Sequence, residues 1–319
     1  MKDQNITLKK HFLNYLDWLE LERGLSSESQ KNYSKFLKRF FDFLIVNKLE
    51  NLKPNEITSE LVWEYRLFLS RQYKKSFSVD KTTNILKHST QNHYLVALRS
   101  FLSFFMEKDI PSLPPDKVKI PKNKEEKIVS FLTLEQIEKL LQTLDTSETA
   151  GLRDKTILET FFSTGLRVAE LVALNREQIT IKPETTDLEV GIIGKGGHPR
   201  TVYFSEKSVE WIRKYLKTRN DNEKALFVNY GGRAPLTRLS IRSIERMVKH
   251  YALLAGLPLT TTCHTMRHSF ATDLLMKGVD LRVVQEFLGH QNIATTQLYT
   301  HVTRPHLREI HKKLHGIRN

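Results

Sequence analysis

Four prolines fall within eleven residues: Pro111, Pro114, Pro115 and Pro121. None can continue a helix, because each lacks a backbone N–H and its ring crowds the preceding turn. The sequence on both sides reads as helical, so this stretch divides the chain. Lys117, Lys119, Lys122, Lys124 and Lys127 add positive charge along it. Residues 111–127 therefore read as an extended basic linker between two domains, 1–110 and 128–319. Two domains also suit 319 residues, at roughly 100–200 residues per domain.

The first domain reads as a helical bundle. Leu8, Phe12, Leu16 and Leu19 are spaced to form one apolar helical face. Gly24 stops that helix, and Ser26 or Ser27 supplies an N-cap for the next. The second helix carries Tyr33, Phe36, Leu37, Phe40, Phe41 and Leu44, with Lys31, Lys35, Lys38 and Arg39 on much of its other side. A third starts near Thr58 and runs through Leu61, Tyr65, Phe68 and Leu69. A fourth holds Tyr94, Leu95, Leu98, Phe101, Leu102 and Phe105. Four amphipathic helices make a small bundle, with these aromatics as its core. The basic segment Lys74–Lys87 has no assigned role.

The second domain mixes helices with one hairpin. Thr133 and Gln136 fit a capping box for a helix over 134–144, and a second helix spans 151–163. A third, after Gly165, carries Val168, Leu171 and Val172. The period then changes from helical to twofold. Leu188, Val190 and Ile192 alternate, glycines at 194, 196 and 197 turn the chain, and Thr201-Val202-Tyr203-Phe204 returns. That pattern predicts a β-hairpin, and helices resume from about 206. The fold class is mainly α with a small β-hairpin.

Composition narrows the function. The net charge is +14, from 50 Lys+Arg against 36 Asp+Glu, which favours polyanionic partners, nucleic acid first among them. The basic residues are spread along the chain and not gathered on one amphipathic helix, so a membrane surface is the weaker reading. No stretch approaches the roughly 18 consecutive apolar residues of a membrane span. A single cysteine, Cys263, excludes an internal disulfide framework and a Cys-rich zinc finger. Residues 1–10 hold no apolar run of the signal-peptide kind. The expectation is a soluble cytoplasmic protein.

Five segments gather polar groups that packing alone does not require. In Thr164-Gly165-Leu166-Arg167-Val168-Ala169-Glu170-Leu171, Arg167 and Glu170 are helical neighbours, as a surface ion pair or as part of a site. Lys195 sits among three glycines, as an ordinary turn or as a lysine presented to a ligand. His264, Arg267 and His268 share one helical face. A zinc site is disfavoured there, since Thr265 stands where H-E-x-x-H has glutamate and no carboxylate or thiol pattern completes it. His290 follows Leu288-Gly289 at a helix end, and Tyr299 closes a Thr-rich stretch. Either could serve packing alone. Together, two arginines, a lysine, two histidines and a tyrosine suit the holding of a phosphodiester while a phenol attacks it. Arginine forks grip nonbridging oxygens and keep their charge. Nearby positive charge lowers the cost of a tyrosinate, and a lysine can protonate the leaving oxygen.

The segments TGLRVAEL, GKGGHPR, HTMRHSFATDLL and LGHQNIATTQLYTHV resemble those of the tyrosine recombinase (phage integrase) family, most of all its Xer branch. The first domain is similar to that branch's core-binding domain, so the resemblance spans nearly the whole chain. The tyrosine falls nine residues after the LGH histidine. Where many Xer proteins read ATHLL, this chain has Ala271-Thr272-Asp273-Leu274-Leu275, which touches no catalytic position.

The resemblance implies a helical core-binding domain that clamps DNA, followed by a catalytic domain. It implies that Arg167 and Arg267 clamp the scissile phosphate and that Lys195 is the general acid. By the same likeness His264 assists proton transfer, His290 donates to a nonbridging oxygen, Tyr299 becomes a 3′-phosphotyrosine and Glu170 supports the arginines. No cofactor, ATP or metal is implied. The implied partners are duplex DNA with paired half-sites, self or a related recombinase in a tetrameric synapse, and an activating DNA translocase. A C-terminal helix over 305–316, with Leu307, Ile310 and Leu314 on one stripe, is expected to dock on a neighbouring subunit, the alternative being that it folds back onto its own catalytic domain. The alternatives are a mobile-element integrase of the same chemistry, a decayed DNA-binding paralogue, and a type IB topoisomerase.

Overall fold

The computed structural model describes residues 6–71, 86–121, 130–232, 234–290 and 296, and divides into two compact units, Met1–Glu125 and Glu126–Asn319. In the first unit, α1 spans Leu8–Leu21, α2 Ser27–Val46, α3 Ser59–Arg71 and α4 His88–Glu107. Ser26 caps α2, its hydroxyl accepting from the Ser29 N–H. The apolar stripes close on one another: Tyr15, Leu19, Leu37, Phe40, Tyr65, Leu98, Phe101 and Phe105 are all buried. His11 is buried with them, edge-on to Phe105 at 5.3 Å.

The proline stretch is not wholly extended. Pro115–Lys117 form a single 3-10 turn, Val118 is fully buried in the first unit's core, and the Val118 carbonyl accepts from Arg99. The Pro121 carbonyl accepts from Asn92 at 3.0 Å. Residues up to 121 thus pack on α4, because Ile110 and Val118 give an otherwise polar strip two apolar anchors. Residues 122–129 lie outside the described residues, as does the basic segment from Lys74 to Ile85.

The second unit contains α5 (Leu134–Gln142), α6 (Thr149–Thr164), α7 (Val168–Ala173), β1 (Leu188–Ile193), β2 (Pro199–Phe204), α8 (Glu206–Lys217), α9 (Ile241–Leu254), α10 (Cys263–Met276) and α11 (Leu281–Leu288). The Thr133–Gln136 capping box closes in both directions, at 3.0 and 3.3 Å. Helix bounds otherwise differ from the sequence reading by about two residues, as frayed ends do. The hairpin pairs Val190 with Val202 and Ile192 with Arg200 in an antiparallel register. Val190, Ile192, Val202 and Phe204 face the core, where they meet Leu158, Phe161, Leu171 and Val209. Position 200 is therefore on the inward side of β2, in phase with Val202 and Phe204.

Candidate active site

Glu170 and the arginines around it form the centre of the second unit's polar chemistry. Arg167 is the N-cap of α7, and Glu170 is its third residue. The spacing lets the carboxylate reach back, so Oε2 accepts from the Arg167 N–H at 2.8 Å and Oε1 from Arg167 Nη1 at 2.8 Å. From β2, Arg200 donates to the same two oxygens through Nη1 at 2.9 Å and Nη2 at 2.7 Å. From α10, Arg267 Nη1 lies 4.0 Å from Glu170 Oε2. Three guanidiniums thus surround one carboxylate, and +3 with −1 leaves +2. Burial works against the Glu170 carboxylate, but the bonds from Arg200 and Arg167 outweigh it and bring its pKa down to about 2.

The arginines differ in exposure. The Glu170 and Arg267 side chains are each 5% exposed and Arg200 10%, but Arg167 is 26% exposed. Arg167 is the most open route from the cluster to an anion. The excess positive charge is held in place by backbone carbonyls. Arg267 Nη1 donates to the Gly165 carbonyl at 2.7 Å, and its Nη2 to Leu288 at 2.5 Å. Arg167 Nη2 donates to Gly289 at 3.3 Å.

The end of α11 explains why those carbonyls are available. Gly289 takes the left-handed conformation, with φ 60°. The Gly289 N–H bonds the Glu286 carbonyl at 2.9 Å and the His290 N–H bonds Gln285 at 3.1 Å. This is a Schellman closure. It turns the Leu288 and Gly289 carbonyls, at the negative end of the helix dipole, toward Arg267 and Arg167. Glycine is needed at 289 for a second reason: a Cβ there would stand 2.7 Å from Arg200 Cδ. The Leu-Gly-His triplet is a helix terminator that also feeds the arginine cluster and sets the position of His290.

His290 Nδ1 lies 3.0 Å from Thr296 Oγ1. Burial, and then the neighbouring Arg267 and Arg167, lower its pKa to about 4. His268 is likewise lowered to about 4, by burial and then by His264 and Arg267. His264 itself is exposed on the first turn of α10. That turn is fixed by a reciprocal box, with the Thr262 N–H on Thr265 Oγ1 at 3.0 Å and the Thr265 N–H on Thr262 Oγ1 at 3.3 Å. Cys263 is buried, and burial pushes its thiol up to about 12.

The structure thus brings Arg167, Glu170, Arg267 and His290 together, and puts His264 one turn before Arg267. The backbone of Lys195 opens the turn between β1 and β2; its side chain, and all of Tyr299, lie outside the described residues, as does the segment 305–316. The turn abuts the cluster, since a Cβ on Gly194 would stand 2.9 Å from Arg200 Nη1 and 3.6 Å from Glu170 Oε1. Arg200 is a site residue beyond those the sequence points to; its signal is an arginine in phase with Val202 and Phe204 on the inward strand face, which the β1–β2 register reveals. Among the described residues, no group of three or more His, Cys, Asp or Glu side chains could hold a metal ion. No helix among them is long and apolar enough to cross a membrane.

Residues 130–306 match the phage integrase family, and residues 12–109 match the phage integrase N-terminal SAM-like domain. The chain belongs to the phage integrase family. Its relatives include the tyrosine recombinase XerC of Thermodesulfovibrio yellowstonii, 36% identical over 96% of both chains. Another is the tyrosine recombinase XerD of Staphylococcus epidermidis, 33% identical over 94% of this chain and 97% of that one. Among solved structures, the XerH site-specific recombinase bound to its palindromic difH substrate after cleavage superposes with a TM-score of 0.71 at 22% identity. The match covers 97% of this chain and 90% of that one, and at that identity the likeness is one of fold. Among its described residues, this integrase-family chain is mainly helical with one two-stranded antiparallel sheet, as the sequence pattern implied.

Proposed function

We propose that this chain is an Xer-like site-specific recombinase that resolves dimers of chromosomes or plasmids. Its activity is that of a tyrosine recombinase, which cuts and rejoins duplex DNA. The observation that carries the reading is the Glu170-centred cluster, a fixed excess of two positive charges opening through Arg167. Such a centre suits a phosphodiester, whose charge spreads over nonbridging oxygens as the phosphorus becomes five-coordinate.

In the proposed reaction the Tyr299 phenol oxygen attacks phosphorus, and the bond to the 5′ oxygen breaks. Lys195 gives that oxygen its proton, and Tyr299 is left as a 3′-phosphotyrosine. The 5′ hydroxyl of the partner strand then attacks the same phosphorus and releases the phenol. Bond energy is kept in the phosphotyrosine, so the chemistry needs no ATP. Arg167 and Arg267 neutralise the nonbridging oxygens, with Glu170 aiming them. His290, neutral at physiological pH and paired at Nδ1 with the Thr296 hydroxyl, offers a hydrogen to a nonbridging oxygen from Nε2 in the tautomer in which Thr296 is the donor. His264, on the exposed first turn of α10, assists proton transfer at the phenol. The enzyme is proposed to act in the cytoplasm on paired half-sites, as a dimer per site and a tetramer per synapse, with the tail 305–316 exchanged between subunits and a translocase as activator.

The test is selection of bound duplexes from a random pool, followed by cleavage of the selected site as a nicked suicide substrate. A palindromic site, and an adduct that forms with the natural chain and is lost in Tyr299→Phe while binding persists, is the expected result. An adduct persisting in Tyr299→Phe would overturn the assignment of the nucleophile. Integration at unlike paired attachment sites would point instead to a mobile-element role.

A further inference from the structure

Arg200 stands out because its position combines features that packing alone does not require. It is an arginine on the inward face of a strand, in register with Ile192 and in phase with Val202 and Phe204. It gives both of its terminal nitrogens to the two oxygens of Glu170. Two glycines make room for it: a Cβ would stand 2.9 Å from its Nη1 at Gly194 and 2.7 Å from its Cδ at Gly289. Gly194 opens the turn that begins at Lys195, and Gly289 closes α11. Its Nε is buried with no hydrogen-bond partner among the described residues, while its two terminal nitrogens both go to Glu170.

A carboxylate with two oxygens and one arginine neighbour could rotate or pair in several ways. Glu170 cannot, because Arg200 holds both of its oxygens in a fork while Arg167 holds the same two through its backbone N–H and Nη1. The plane of the carboxylate is fixed, and with it the direction in which Arg167 is pulled. Arg167 is the more exposed of the two arginines assigned to phosphate, so its direction matters most.

We infer that Arg200 is a positioning residue of the strand-transfer reaction, fixing Glu170 so that Arg167 and Arg267 meet the phosphate in one geometry, and tying the Lys195 turn and the α11 terminus to that centre. It acts through Glu170 and not by touching DNA. This rests on the reading of the site as a recombinase centre, and the experiment separates the two.

Arg200→Lys and Arg200→Gln are compared with the natural chain and with Glu170→Gln, measuring duplex affinity and single-turnover adduct formation on a nicked suicide substrate. A loss of fixed geometry of this kind costs on the order of tenfold to a hundredfold in rate. The expected result is that loss in both Arg200 variants, partly recovered in Lys over Gln, with affinity kept within about twofold. The double variant Arg200→Lys/Glu170→Gln should be no slower than the slower single one, since both act at one point. A second readout is the pH profile of cleavage. The charged groups facing Glu170 are Arg167 on α7, Arg200 on β2 and Arg267 on α10, with His290 beside them after α11. Removing the fork raises the Glu170 pKa, so Arg200→Gln should lose activity at higher pH on the acid side than the natural chain, and this shift should vanish in the Glu170→Gln background. Unchanged cleavage in the Arg200 variants, or affinity and cleavage falling together, overturns the inference. Additive loss in the double variant overturns it as well. Failure of the natural chain to form any adduct overturns the recombinase reading instead.

Discussion

The α-carbon of Gly165 faces the Phe270 ring so closely that a β-carbon there would stand 2.4 Å from Cδ1. Gly165 also has φ 59° and ends α6, and its carbonyl receives Arg267 Nη1. One residue thus closes a helix, admits an aromatic ring and anchors an arginine.

Gly165→Ala is therefore expected to destabilise the second unit by roughly 2–4 kcal/mol, combining the left-handed penalty with overpacking. Because the strain is relieved by moving the Gly165 carbonyl, Arg267 should shift too, and cleavage should fall further than stability explains. Urea melts and single-turnover cleavage check this. A fully stable and fully active Gly165→Ala would contradict the close packing.

Glu170 makes stability depend on acid in a defined window. Its pKa falls from 4.5 unfolded to about 2 folded, so its contribution is complete above about 4.5 and lost as pH falls toward 2. The shift corresponds to roughly 3 kcal/mol. Relative to Glu170→Gln, the natural chain should gain stability as pH rises from 2 to 4.5 and hold a constant difference above that. Urea melts at pH 3, 4.5 and 7 measure it, and a difference independent of pH would count against the charged hub.

Much of this centre was legible in the sequence, and the part that was not has a physical reason. Arg167 and Glu170 are one turn apart, so their pairing follows from helical spacing. The Thr133 box, the twofold alternation around Val190 and Val202, and the apolar stripes of the first unit are likewise local patterns. The partners that give Glu170 its role arrive from β2 and α10, far along the chain, and no local pattern encodes such a meeting. Arg200 stands within the GKGGHPR segment, but an inward arginine is visible as such only once the strand register is known. The Leu-Gly-His triplet shows the opposite case: its glycine is explained by local geometry, but the use of the freed carbonyls is not. The buried Val118 shows a third, since proline content speaks of broken helices and not of where the broken chain packs.

His290 should remain neutral far below the usual imidazole range. Burial and the adjoining arginines lower it from 6.5 to about 4. As pH falls through 6.5 the unfolded chain takes a proton that the folded chain refuses. Its contribution is therefore complete above about 6.5 and lost between 6.5 and 4, by roughly 3 kcal/mol. Nitrogen-detected NMR of the imidazoles in the DNA-free protein is the direct check. A His290 ring that titrates at 6.5 or above would show that it is not buried against the arginines, and His290→Asn should reduce the slope of the stability profile across that window, the remaining slope coming from His268.

Affinity for duplex DNA should fall steeply with salt. The chain carries a net charge of +14, from 50 Lys+Arg spread over both units. Each phosphate neutralised releases condensed counterions, so the logarithm of affinity falls with the logarithm of salt by about 0.9 per phosphate. If the proposed hold on duplex through both units is right, many phosphates are neutralised, and affinity should drop by about 1,000-fold or more between 50 and 200 mM salt. Fluorescence anisotropy on a short duplex measures the slope. The same assay separates two kinds of cation. A neutral substitution at Lys35 or Lys38 on α2, if it faces DNA, should reduce the slope by about one and weaken all sequences alike. Arg200→Lys keeps the charge and should leave the slope unchanged. A slope near zero for the natural chain would mean that its positive charge is a solvated surface and not a DNA-binding face.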